Sequence, residues 1–125
     1  MIMGMRAFAF LVGIILLVVG VGGFIPNIVP EDRLVKIFKV NVWTNSLHVA
    51  TGICAFVMAL LRKRGSHILF LRITGITYGI WAILGFIYGE NEIFGIIANN
   101  SADTWFHVII ALAGLILGFA ARKEV

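Results

Sequence analysis

The sequence predicts an all-α integral membrane fold with four transmembrane helices, and three observations support this. The first is composition. Hydrophobic residues make up 61% of the 125 residues and charged ones only 13%, with a mean hydropathy of +1.05. Soluble domains carry about 25% charged residues, and a domain this small has too much surface to hide the excess. The second is the gathering of apolar residues into four runs, approximately Ala7 to Ile25, Asn45 to Leu61, Ile68 to Tyr88 and Thr104 to Ala121. Each is close to the ~20 residues that cross a ~30 Å hydrocarbon layer. The third is where the basic residues fall, in short flanks between the runs. A single domain, 1–125, accounts for the chain.

The first run follows Arg6 as a signal peptide would. It is longer than an h-region of about 7–15 residues, however, and no A-x-A-like site follows, so it reads as a retained span. In the third run Arg72 is the one charged residue, near enough to the end to snorkel to the headgroups. Cys54 sits alone in the second run and reads as a small buried hydrophobe.

Arg6 precedes span one, Arg62, Lys63 and Arg64 separate spans two and three, and Arg122 and Lys123 follow span four. Between spans three and four lie Glu90, Glu92 and Asp103 with no basic residue. The positive-inside rule then puts both termini in the cytoplasm and the protein in the cell membrane. Trp43, Tyr88 and Trp105 fall at the outer interface, where amphipathic rings prefer to sit. The net charge of +4 belongs to these flanks, so nucleic acid is not an expected partner. In the first outer connection, Pro30 followed by Glu31 and Asp32 is a helix-start signal, and Leu34, Ile37 and Phe38 share one helical face. A short interfacial helix is expected there.

The two halves match. Gly13 pairs with Gly75, and Gly23-Phe24-Ile25 with Gly85-Phe86-Ile87, at an offset of 62. His48-Val49 pairs with His107-Val108 at an offset of 59. Two-span units of about 7–61 and 68–121 would form a parallel repeat about an axis along the membrane normal. Small residues at helical spacing (Gly75 and Gly79, Gly85 and Gly89, Gly114 and Gly118) predict close helix contacts, within one chain or between copies.

The chemically distinctive feature is polar. Asn41, Asn45, His48 and Gly52 share one face of span two, and Asp103, His107, Ala111, Gly114 and Gly118 one face of span four. Counting inward from each histidine to Arg62 or Arg122 gives a height of about 21–23 Å above the inner boundary, in the outer third of the bilayer. Histidines at that depth face the bundle interior or a wet cavity. Converging imidazoles could ligate haem iron or, with Asp103, a transition metal. Asp103 and His107 could also relay protons. The preferred reading is structural. The Asn and Asp side chains cap helix starts, and the imidazoles close a polar network, since two histidines fall short of the about four ligands of a closed metal site. Thr74, Thr77 and Tyr78 read as packing residues. No hydrolase, P-loop or dinucleotide-binding motif is present, and no catalytic residue is expected.

LVGIILLVVGVGGFIP in span one, NSLHVATG in span two and NNSADTWFHVIIALAG at span four resemble the small bacterial four-pass membrane proteins of domain of unknown function family 4383. The resemblance covers nearly the whole chain. It implies Asn45, His48, Gly52, Ala102, Asp103 and His107 as signature positions, and it brings no activity. The expectation is therefore a non-enzymatic four-helix bundle, either an accessory or interaction subunit or a channel-like assembly. Its partners would be lipid and a second copy or a larger membrane complex, with no cofactor required. The alternatives are a b-type haem or metal-binding redox protein using His48 and His107, and an ion or proton translocator.

Overall fold

The computed structural model describes residues 2–61, 63 and 65–120. Arg62, Arg64, Arg122 and Lys123, on which the inner boundary rests, lie outside the described residues. Four helices run in order: α1 (Ile2–Gly22), α2 (Val42–Leu60), α3 (Ser66–Tyr88) and α4 (Ser101–Ala120). All four are long and apolar enough to cross a membrane. Helices α2 and α4 each begin three residues before the apolar run predicted for them. Their starts are set by capping asparagines, not by hydropathy. Each helix turns large apolar side chains outward, among them Val18, Ile53, Ile83 and Ile116. Such a surface is stable only where lipid replaces water. The buried cluster within the bundle includes Ala9, Val12, Leu16, Ala55, Leu71, Ile110 and Ala111.

Helix α1 packs on α2, and α3 on α4, at positions without side chains. A Cβ on Gly13 would lie 2.7 Å from the Ala55 Cβ, and one on Gly75 would lie 2.6 Å from the Leu115 amide nitrogen. At Gly114 the obstacle would be the Leu71 carbonyl oxygen at 2.7 Å, and at Gly118 the Arg72 backbone nitrogen at 2.9 Å. Backbones come this close only where a side chain is missing, and the gain is dispersion contact. Gly79 and Gly89 differ from expectation. A Cβ on Gly79 would meet Ala111 at an ordinary 3.8 Å, and Gly89 has nothing within 4 Å. Gly89 instead ends α3 at a positive φ of 62°.

Two arginines close the other end of the bundle. Arg6 Nε donates to the Ala59 carbonyl at 2.7 Å, and Arg72 Nε to the Gly118 carbonyl at 2.7 Å. Both acceptors lie in the last turns of α2 and α4, where carbonyls lack helical partners and the dipole favours a cation. The Arg72 guanidinium also lies over the Phe119 ring, 4.9 Å from its centroid. Arg72 therefore ties two helices together instead of reaching for headgroups. Cys54 is exposed on the outer face of α2, not buried.

The connection from α1 to α2 does not form the short interfacial helix expected of it. It forms two single-turn 3₁₀ segments, Pro26–Ile28 and Pro30–Asp32, and a hairpin of β1 (Arg33–Leu34) and β2 (Phe38–Lys39). Glu31, Asp32, Val35 and Lys36 all have positive φ, which a right-handed helix cannot contain. The proline and acidic residues that signal a helix start here open a turn instead. The connection from α3 to α4 is also hairpin-like, with Ile93 bridged to Ile97 and positive φ at Phe94 and Gly95.

Candidate functional site

The predicted polar residues gather where the two connections cross the ends of α2 and α4. Asn41 caps α2, its Oδ1 accepting from the Thr44 N–H at 2.9 Å. Asn100 caps α4 in the same way, accepting from the Asp103 N–H at 2.9 Å. The Asp103 carboxylate accepts in return from the Asn100 N–H at 3.1 Å. That is a reciprocal capping box, which satisfies two orphan donors at once.

The other ends of the same amides reach across the molecule. Asn41 Nδ2 donates to the Ile96 carbonyl at 2.7 Å, in the connection between α3 and α4. Asn100 Nδ2 donates to the Ile37 carbonyl at 2.9 Å, in the connection between α1 and α2. Both donors and both acceptors differ by 59 positions. The Ala98 N–H also donates to Thr44 Oγ1 at 3.0 Å. Each hairpin thus covers the helix start that belongs to the other half.

Below these caps the histidines meet. His48 Nε2 lies 3.4 Å from His107 Nε2, and both residues are 3% exposed. Tyr78 packs on both rings, with centroids 6.2 Å from His48 and 5.3 Å from His107. Phe106 covers them from another side, with its centroid 5.8 Å from that of His48. The Tyr78 hydroxyl approaches Thr51 Oγ1 at 3.4 Å, and Thr51 donates to the Leu47 carbonyl at 2.8 Å. A cavity of about 50 Å³ opens beside the pair, lined in part by Thr44, Thr51, Thr77, Tyr78 and both histidines. Among the described residues neither Nδ1 has a hydrogen-bond partner. By the usual rule of about 10–15 Å³ per water, the cavity can hold a few waters that would supply partners.

The structure brings together Asn41, Asp103, His48 and His107 at one end of the bundle, with two departures from expectation. Asn45 does not cap α2. It is buried inside the first turn against Gly23, where any Cβ would run into its amide, and its Oδ1 has no partner. Asp103 is engaged by backbone groups, and no hydrogen bond joins it to His107 among the described residues.

Two further residues belong to the site. Tyr78 is part of the histidine cluster, not a mere packing residue. Asn99 is fully buried and donates to the Gly85 and Gly89 carbonyls at 3.1 and 2.6 Å while accepting from Thr104 Oγ1 at 3.2 Å. It thereby satisfies the carbonyls at the end of α3. The Asn99-Asn100 doublet was the available signal, since two adjacent amides exceed what one cap requires. Among the described residues no group of three or more His, Cys, Asp or Glu side chains could hold a metal ion.

No curated protein and no solved structure matches the chain. A family model does match, described as Domain of unknown function (DUF4383), over residues 6–120. The match takes in all four helices except the first four residues of α1, together with both crossing hairpins and the paired histidines. With four apolar helices to carry it through lipid, this small membrane protein belongs to the DUF4383 family.

Proposed function

We propose that the protein is a non-enzymatic accessory or interaction subunit of the cytoplasmic membrane. In this reading it is a rigid four-helix bundle that works as a homo-oligomer or within a larger membrane complex. The observation that carries this is how the polar side chains are used. Asn41, Asn99, Asn100, Asp103 and Thr44 are all spent on holding the connections to the helix ends. What remains outward is an apolar surface, suited to lipid and to other helices. Leu16, Leu71, Ile110 and Ala111 fill the bundle interior, which supports a sealed bundle over a channel or translocator within one chain. Tyr78 and Phe106 lie against the imidazoles, in space that the plane of a haem macrocycle would need, and this disfavours the haem reading.

The same proposal includes a parallel repeat of two-span units, about 7–61 and 68–121, with glycine-based packing inside each. The 59-residue spacing of caps, crossing bonds, positive-φ turns and histidines supports it. In this reading each unit crosses twice, so both units enter from the same side, and the basic flanks support a cytoplasmic position for both termini.

Native mass spectrometry of membranes extracted in mild detergent tests the assembly. We expect a discrete complex heavier than one 13.7 kDa chain; a bare monomer in every gentle extract would sink the proposal. For orientation, cytoplasm-active reporters fused after Lys63 and after Val125 should work, and one fused at Asn91 should not. Activity at Asn91 would overturn the topology.

A further inference from the structure

The meeting of α2 and α3 differs from the other helix contacts. Glycines bring α1 against α2 and α3 against α4, but α2 and α3 flank the cavity of about 50 Å³ beside the histidines. Its rim is formed by side chains that are exposed or half-buried, Leu47 and Thr51 on α2 and Thr77 and Trp81 on α3, each pair one turn apart. Leu47 and Thr51 lie about 8 and 14 Å along α2 from its start, at about 1.5 Å per residue. The rim therefore opens sideways, onto the layer that holds lipid chains. Behind it lie buried polar groups, His48, His107 and Tyr78. Among the described residues no Asp, Glu, Lys or Arg lines the cavity.

The two rings leave a demand unmet. Neutral imidazoles whose Nε2 atoms meet at 3.4 Å share one proton there, since two bare nitrogens or two N–H groups would repel. The donating ring then has a bare Nδ1, and the accepting ring an Nδ1–H. Both nitrogens are buried without a partner among the described residues, so one donor and one acceptor are wanted, and leaving either unmet is costly. We propose that the cavity takes, from the side, the carboxylic acid head of a free fatty acid whose chain stays in lipid. An un-ionised carboxyl group presents one donor and one acceptor on two oxygens, the complement of the two rings. A charged head would find no counter-charge in this lining. Size selects as well. A cavity of about 150 Å³ takes benzene, so one of about 50 Å³ admits a carboxyl group and excludes a quinone ring or the glycerophosphate head of a two-chain lipid. At the rim, Leu47 and Trp81 offer apolar surface to the first carbons of the chain. This goes beyond the accessory role and does not depend on it.

The test uses the full chain in phosphatidylcholine nanodiscs, loaded with palmitic acid that carries ¹³C at its carboxyl carbon. We expect a second carboxyl resonance, absent from protein-free nanodiscs, that saturates at one acid per chain. Unlabelled palmitic acid should displace it, and methyl palmitate and hexadecanol should do so about tenfold or more weakly, because neither presents a separate donor and acceptor. His48→Leu should remove the resonance. Should that variant fail to fold, Thr77→Phe decides the matter, because it plugs the rim from an exposed position. Ile80→Phe, equally exposed on the same helix but outside the lining, should keep the resonance. A parent with no second resonance, its survival in Thr77→Phe, or equal displacement by the ester or the alcohol would each overturn the site.

Discussion

At the start of α2 the acceptor for the opposite connection is a hydroxyl, Thr44 Oγ1, while the matching position on α4 holds a carboxylate, Asp103, which accepts from the Asn100 N–H. At the next residue of each helix, Gly23 faces Asn45 in the first half, and Gly85 faces Thr104 in the second. The capping asparagines and the histidines are identical in the two halves. Where a group must act in both directions, as cap acceptor and crossing donor, an amide offers an oxygen and an N–H on one side chain, and Asn stands in both places. Where a group must only accept, the residue is free to differ. The halves also differ in how completely they are satisfied. The second has Asn99, Asn100, Asp103 and Glu90 all engaged around the start of α4. The first leaves Asn45 Oδ1 without a partner.

Substitutions can break or sharpen this comparison. The largest effect should come from the glycines, where the halves agree. Gly114→Leu would force a side chain into the Leu71 carbonyl and the Gly75 backbone, and overpacking of that kind costs about 1–3 kcal/mol or more. Thermal unfolding in mild detergent should show a lower midpoint, and an unchanged midpoint would mean that the α3–α4 contact is looser than described. Asn100→Ala should come next. It loses a cap worth about 0.5–2 kcal/mol and a crossing hydrogen bond worth about 0.5–1.5 kcal/mol. Asn41→Ala loses the same two bonds from a more exposed side chain, so its effect should be smaller. Equal losses would erase the asymmetry, and strictly additive losses in the double variant would show that the two crossings do not support each other. Gly79→Ala marks the bottom of the series, within about 0.5 kcal/mol of the parent, because a methyl group there makes an ordinary contact.

The parts of the fold legible in the sequence were those governed by short-range rules. Hydropathy located four spans, helical spacing put His48 and His107 on inward faces, and Asn41 and Asn100 stood where caps belong. The connections were not legible. Hairpin turns with two positive-φ residues usually advertise themselves as Asn-Gly or Asp-Gly, and here they read Val35-Lys36 and Phe94-Gly95. A β-branched residue at positive φ is a genuine outlier; the Val35 N–H is taken up by the Ile28 carbonyl, and the nearby Ile37 carbonyl by Asn100, 63 residues away, a pairing that local patterns do not encode. The same limit hid the role of Arg72, whose acceptor at Gly118 lies on another helix. It also hid the outward turn of Cys54, since every side of a transmembrane helix is apolar and the pattern that tells inside from outside in water is faint in lipid.

The crossing of the hairpins has a consequence for how the molecule opens. The Asn41 amide depends on Ile96 and the Asn100 amide on Ile37, so neither helix pair can loosen at this end without undoing the seal of the other. Partial opening would expose buried amides and carbonyls at both helix starts together, in a layer where water is scarce. The free energy of opening is thereby concentrated into one event. In hydrogen exchange, the amides of Thr44 and Asp103, one in each half, should behave as members of a single cooperative unit.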